Sequence, residues 1–138
     1  MVVKDILLDT NAYAAFKQGR TEAVDIVRRA TRIAVSSVVL GELLAGFAVG
    51  SREAKNRSEL QQFLVADRVV ILIVDNVTAD YYATVYRALR GKGRPIPTND
   101  VWIAALALQH GFAIFSYDAH FKHIDGILVG STSVELML

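Results

Sequence analysis

The sequence predicts an α/β protein built on a parallel sheet covered on both faces. Three observations carry that prediction. Short β-type runs alternate with helical segments along the chain, the pattern of a parallel sheet with crossover helices. The apolar share is high, 53% of 138 residues with a mean hydropathy of +0.34, so helices are expected to be buried on more than one face. Four carboxylates, Asp9, Glu42, Asp100 and Asp118, each stand just beyond a strand-like stretch or in the helix after one. In an open parallel sheet those places converge on one edge, outside the carboxyl ends of the strands.

The elements follow in order. Val2–Leu8 holds the β-type run Ile6-Leu7-Leu8 and ends at Asp9; Thr10 and Asn11 supply capping chemistry for a short helix through Phe16, broken by Gly19. Thr21 opens a helix to about Ala30, with Arg28 and Arg29 near the end where cations complement the dipole. Ile33–Val35 is a short strand. Ser36 and Ser37 can cap a helix over Val38–Val49, which Gly50 terminates. Ser51 opens a more polar helix to about Ala66. Val69–Val74 is the clearest buried strand, and a helix runs from about Thr78 to Arg90. Gly91–Pro97 contains two glycines and two prolines and must be a loop. Thr98 or Asn99 caps a helix to His110 that Gly111 stops. Phe112–Phe115 and Ile127–Val129 are the last strands. Residues 1–138 read as a single domain, with no repeat or linker.

Composition narrows the chemistry. There is no cysteine, which removes disulfides and thiolate metal sites and leaves oxygen and imidazole as ligands. The apolar runs are too short to span a bilayer, and no signal peptide is visible at the start, so a cytoplasmic address is expected. Net charge is +1, from 15 Lys+Arg against 14 Asp+Glu, and is uninformative about nucleic acid. Its distribution says more: Arg87, Arg90, Lys92 and Arg94 form a basic group that ends just before Asp100.

Each acid has a structural role available to it as well as a chemical one. Asp9 can cap the first helix. Asp100 suits the positive end of its helix, yet it shares a face with Ile103, Ala104 and Ala107, which points it inward. Asp118 can cap a turn, and Ser116 is placed to orient it or a water. Glu42 is the most diagnostic, being the only charged side chain between Ser37 and Ser51. In a helix apolar all round, an isolated carboxylate needs a partner or a metal; an arginine such as Arg32 or Arg94 is the structural alternative. Four acids in one crevice repel each other unless a divalent cation neutralises them, and oxygen ligands point to Mg²⁺ or Mn²⁺ rather than zinc. His120 and His123 have helical spacing, but nothing else supports a zinc site. Surface or packing roles are expected for both, as for His110.

The motifs Leu7-Leu8-Asp9-Thr10-Asn11, Ser37-Val38-Val39-Leu40-Gly41-Glu42-Leu43, Asn99-Asp100-Val101-Trp102-Ile103-Ala104-Ala105 and Ser116-Tyr117-Asp118-Ala119-His120-Phe121 occur in that order. Together they resemble the PIN domain, and within it the VapC-type toxin ribonucleases, over about Ile6 to Ile127. The resemblance implies a three-layer α/β/α domain with a central parallel sheet. It also implies an acidic Mg²⁺ site of Asp9, Glu42, Asp100 and Asp118, endonucleolytic cleavage of RNA, a homodimer, and a cognate antitoxin that blocks the site. Ser116-x-Asp118 stands where the family usually has Thr-x-Asp and keeps the hydroxyl. A non-toxin PIN nuclease for RNA processing and a non-catalytic RNA- or protein-binding PIN module share these motifs. A haloacid-dehalogenase-like phosphatase is disfavoured by Asn11, where that chemistry wants a second Asp.

The expected mechanism follows. Asp9, Asp100 and Asp118 hold the metal directly or through water, Glu42 completes the site, and Glu42 or Asp118 orients or deprotonates the attacking water. Thr10, Asn11 and Ser116 fix the carboxylate rotamers. Arg87, Arg90, Lys92 and Arg94 offset the repulsion between an acidic site and RNA. The helix Val38–Val49 and the group Tyr81, Tyr82 and Tyr86 are the two candidates for a dimer or antitoxin surface, with core packing the expected role of Val38–Val49.

Overall fold

The computed structural model describes residues 3–137. Five strands, β1 (Ile6–Leu8), β2 (Ile33–Ser36), β3 (Val69–Leu72), β4 (Ala113–Phe115) and β5 (Val129–Gly130), form one sheet in the order β3-β2-β1-β4-β5. Every pairing is parallel: Ile6 faces Ile33 on one side and Ala113 on the other. Six helices connect and cover it: α1 (Thr10–Lys17), α2 (Thr21–Arg29), α3 (Ser37–Val49), α4 (Glu53–Leu64), α5 (Asn76–Gly91) and α6 (Thr98–His110). A 3-10 turn over Ala119–His123 follows β4. The expected α/β architecture with a central parallel sheet is thus observed. Val2, assigned from sequence to the first strand, lies outside the described residues.

The chain turns from β1 to β2 and β3 on one side, then returns to add β4 and β5 on the other. The reversal falls between β1 and β4, the place where open α/β sheets carry their chemistry. These two strands and β2 are wholly buried, and the core around them includes Ile103, Leu106 and Phe121. At the opposite edge, Arg32 pairs with Asp5 at 2.7 Å. The Arg68 guanidinium donates to the carbonyls of Val27 (3.2 Å) and Ala30, satisfying groups that the end of α2 leaves without helical partners.

Three expectations need correction. Val69–Val74 is not a buried strand but the sheet's edge: only Val69–Leu72 is extended, Ile71 is 47% exposed and Ile73 63%. An apolar run cannot by itself distinguish a central strand from an edge strand. Helix α3 is not buried all round either. Val39 and Leu43 face the core, while Gly41, Ala45 and Ala48 are exposed and Val49 is 90% exposed. Small apolar residues cost little in water, so hydropathy overstated its burial. Finally, Thr98 and Asn99 do not cap α6; Pro97 stands at the cap with no side-chain bond, which frees Asn99 for other work. Gly111 does end α6 as expected, at φ 72°, the left-handed conformation a glycine C-cap supplies.

Candidate active site

The site is assembled from strand ends. Asp9 follows β1 directly and caps α1, its Oδ1 accepting the Thr10 N–H at 2.8 Å. The capping role and the site role are therefore one placement. Ser116 follows β4, the strand beside β1, and its hydroxyl donates to Asp9 Oδ2 at 2.7 Å. The same oxygen accepts the Asp118 N–H at 2.9 Å, so one buried hydroxyl ties two of the acids together. Asn11 Oδ1 accepts the Tyr117 N–H at 3.2 Å, joining the start of α1 to the same loop.

Glu42 reaches this edge because β2 runs into α3 without a loop. Ser36 ends the strand and caps the helix, its Oγ accepting the Val39 N–H at 3.1 Å. Glu42 Oε1 accepts the Thr10 hydroxyl at 2.6 Å and Oε2 accepts from Asn99 Nδ2 at 3.2 Å. Its partners are thus neutral donors from α1 and α6, and the arginine alternative does not occur: Arg32 is with Asp5.

Asp100 lies in the first turn of α6, its side chain only 14% exposed, with Ile103, Ala104 and Ala107 buried on the same face as expected. Asp118 caps the 3-10 turn, Oδ1 accepting the His120 N–H at 3.0 Å. The His120 ring sits between these acids, Nδ1 2.9 Å from Asp100 Oδ2 and 3.1 Å from Asp118 Oδ1. His120 is at the surface, as expected, but its ring also contacts two of the acids, which the sequence did not show. Its signal in the sequence was proximity to Asp118; what sequence lacked was the contact with Asp100, 20 residues earlier. His110 is exposed at the end of α6, and the His123 carbonyl accepts from Lys92.

The acids and His120 influence one another's protonation. Burial pushes the Asp9 carboxyl above its ordinary value of 3.8; the Ser116 and Thr10 hydrogen bonds oppose the shift, and the charges of Asp100 and Glu42 add to it. Asp100 is raised chiefly by burial, with His120 opposing and Asp118 and Glu42 reinforcing. His120 is raised above 6.5, first by its bond to Asp100. Carboxylates that feel each other's charge this way stand in one crevice. Oxygen donors of Asp100 and Asp118 and the nitrogen of His120 lie within 4.8 Å of one another, close enough to share a divalent cation.

The basic group is distributed unevenly. All four are exposed; Lys92 Nζ is engaged with Asp125 (2.9 Å) and the His123 carbonyl (2.9 Å), and Arg90 leans on Tyr86 (3.4 Å to its hydroxyl), whereas among the described residues no side-chain hydrogen bond or ion pair involves Arg87 or Arg94. Sequence missed a cation beside the Ser116–Asp118 loop: the Arg20 guanidinium lies over the Tyr117 ring at 4.7 Å. A hollow of about 390 Å³ between α1, α3 and α4 includes none of the four acids.

The model of the PIN domain family matches residues 6–127. Ribonuclease VapC11 of Mycobacterium tuberculosis is 32% identical over 126 residues, covering 86% of this chain and 90% of that protein. Ribonuclease VapC4 of the same organism is 36% identical over 84 residues, 61% of this chain and 65% of that protein. The crystal structure of VapBC2 from Rickettsia felis, bound to a DNA fragment from its promoter, superposes with a TM-score of 0.78 at 26% identity, over 91% of this chain and 96% of that one. The family match begins with the first residue of β1 and ends beyond the turn that holds Asp118 and His120, so it spans all four acids. This chain belongs to the PIN domain family, in its VapC-type branch.

Proposed function

We propose that this protein is a divalent-metal-dependent endoribonuclease, the toxin of a toxin–antitoxin pair, acting through Asp9, Glu42, Asp100 and Asp118. The observation that carries the reading is the meeting of these acids at the reversal point of the sheet, where each is held by a hydrogen-bond partner from another element or its own turn. Relatives that are named ribonucleases and neighbours that are toxin–antitoxin complexes support it.

Asp9, Asp100 and Asp118 would hold Mg²⁺ or Mn²⁺, directly or through water. Bound there, the ion supplies Lewis-acid polarisation of the scissile phosphate and lowers the pKa of its water. Glu42, held by Thr10 and Asn99, orients the attacking water and receives its proton. In-line attack leaves a 5′-phosphate and a 3′-hydroxyl. Ser116 and Asn11 keep the β4 loop and α1 in register, so Asp9 and Asp118 present fixed rotamers. Arg87, Arg90, Lys92 and Arg94 were the cations expected to meet RNA; Arg87 and Arg94 are the ones engaged in no described side-chain hydrogen bond or ion pair, and Arg20, over the Tyr117 ring, is a further candidate.

A cognate antitoxin is the expected protein partner. A homodimer is supported by the apolar side chains on and after the edge strand and on α5, where Ile73, Val77, Tyr81 and Tyr86 are exposed. Among the described residues no helix is long and apolar enough to cross a membrane.

The test is cleavage of RNA by the purified protein with Mg²⁺ or Mn²⁺, beside a chelated sample and the variants Asp9→Asn and Asp100→Asn. Metal-dependent cleavage lost in both variants is expected. Cleavage that survives chelation, or full activity in both variants, would overturn the assignment.

A further inference from the structure

We propose that His120 is itself a ligand of the divalent ion, through Nδ1, and that this nitrogen shifts the site's selection away from Mg²⁺ toward first-row transition ions such as Mn²⁺. The inference rests on the metal-dependent reading above and adds to it a donor outside the four acids.

The geometry suits neighbouring ligands in one coordination shell as well as it suits a hydrogen bond. His120 Nδ1 is 2.9 Å from Asp100 Oδ2 and 3.1 Å from Asp118 Oδ1. Neighbouring ligands of an octahedral ion with bonds of about 2.1 Å are separated by about 3.0 Å. Both separations match the edge of such a shell. A ring nitrogen carries at most one proton, so an N–H shared between two carboxylate oxygens satisfies neither fully; a cation bound to all three donors satisfies them all. The ring is also placed rather than free. Its own backbone N–H is bound to Asp118 Oδ1, and the next residue, Phe121, is fully buried. The turn therefore delivers the imidazole to the pair of acids as a unit.

The consequence is selectivity. Mg²⁺ favours an all-oxygen shell and gives up its waters reluctantly. Later divalent ions bind nitrogen more readily, in the order of their intrinsic affinities. One imidazole among carboxylates therefore favours Mn²⁺ over Mg²⁺ relative to the acids alone.

The experiment uses the full chain with Mn²⁺ and Mg²⁺ as probes. Electron spin-echo measurements on the Mn²⁺-loaded protein should show modulation from a directly bound ¹⁴N, and His120→Gln should abolish it. In calorimetric titrations the same variant should lose Mn²⁺ affinity by at least about tenfold, the lower end of what loss of even an outer-shell partner costs, while Mg²⁺ affinity changes much less. Mn²⁺ bound without nitrogen modulation in the unaltered protein, a readout independent of how any variant folds, overturns the proposal and leaves the nuclease reading standing. An equal loss for both ions in His120→Gln overturns it too, marking His120 as a positioning group for the carboxylates. Failure of the unaltered protein to bind either ion sinks both readings.

Discussion

The Thr10 hydroxyl donates to Glu42 Oε1 at 2.6 Å, so the first turn of α1 holds the only charged side chain of α3. The bond ties together two residues 32 positions apart and holds the carboxylate proposed above to handle the attacking water. Thr10→Val keeps the shape and removes the donor, while Asp9 still caps α1 through the Thr10 N–H. The single-turnover cleavage rate should fall about 10–100-fold, the cost of losing a supporting contact to a catalytic or metal-binding group, with an unchanged circular dichroism spectrum. Thr10→Ser should restore most of the rate. Equal rates in all three proteins would deny Glu42 its dependence on this bond.

The metal-free protein should become more stable as the pH falls. Asp9 and Asp100 have folded-state pKa values above 3.8, so the fold favours their neutral forms. The stability from each is lost as pH rises through its raised folded value and is fully present below 3.8. His120, raised above 6.5, acts in the same direction at higher pH: its contribution is present below 6.5 and lost as pH rises through its folded value. Asp75 and Glu135 are lowered by hydrogen bonds from Thr78 and Ser131, so they withdraw stability only below their ordinary values of 3.8 and 4.5. Melting temperatures in chelator should therefore climb from pH 8 toward pH 5. Saturating Mg²⁺ or Mn²⁺, which needs deprotonated ligands, should flatten or reverse the trend. A melting temperature in chelator that drops steadily across that range would contradict the assigned shifts.

Salt dependence should sort the cations. Each phosphate contact to single-stranded nucleic acid contributes about 0.7 to the slope of log affinity against log salt. The double variant Arg87→Gln, Arg94→Gln should flatten that slope by about 1.4 for a non-cleaved RNA bound to the Asp100→Asn protein. Lys92→Gln should change it little, because that ammonium already serves Asp125 and the His123 carbonyl. The reverse ranking would place the RNA path along Lys92 instead.

Gly130 is required by close packing. A Cβ there would stand 2.6 Å from the Glu135 Cβ and 3.3 Å from Leu136 Cγ. Glu135 cannot give way easily, since its Oε1 accepts the Ser131 and Thr132 N–H groups at 3.0 and 3.2 Å. Gly130→Ala should cost about 1–3 kcal/mol, read as a lower urea midpoint with an unchanged slope. A midpoint within error of the parent would show that the carboxyl-terminal turn moves aside freely.

Much of this was legible in the chain because punctuation is local. Gly111, Ser36 and the Gly91–Pro97 loop mark boundaries with groups that act on their own backbone. Asp9 and Asp118 were legible because they follow strands closely, and Glu42 because it is the lone charge in an apolar helix; Asp100, in a helix that follows another helix, was legible from the inward face it shares with Ile103, Ala104 and Ala107. What was not legible depended on distant contacts. Val69–Leu72 reads as buried until its one-sided pairing with β2 is known. Helix α3 reads as buried until its alanines and glycines are seen facing water. His120 and Asn99 acquire their roles only from Asp100 and Glu42, 20 and 57 residues away.

Two of the acids, Asp9 and Asp118, are also the caps that start α1 and the turn after β4. Folding and assembly of the reactive centre are therefore one event, and the centre is poised before any ion arrives. The proposed nuclease would therefore need no refolding step to receive its cation, and whatever governs it must act on a site already built.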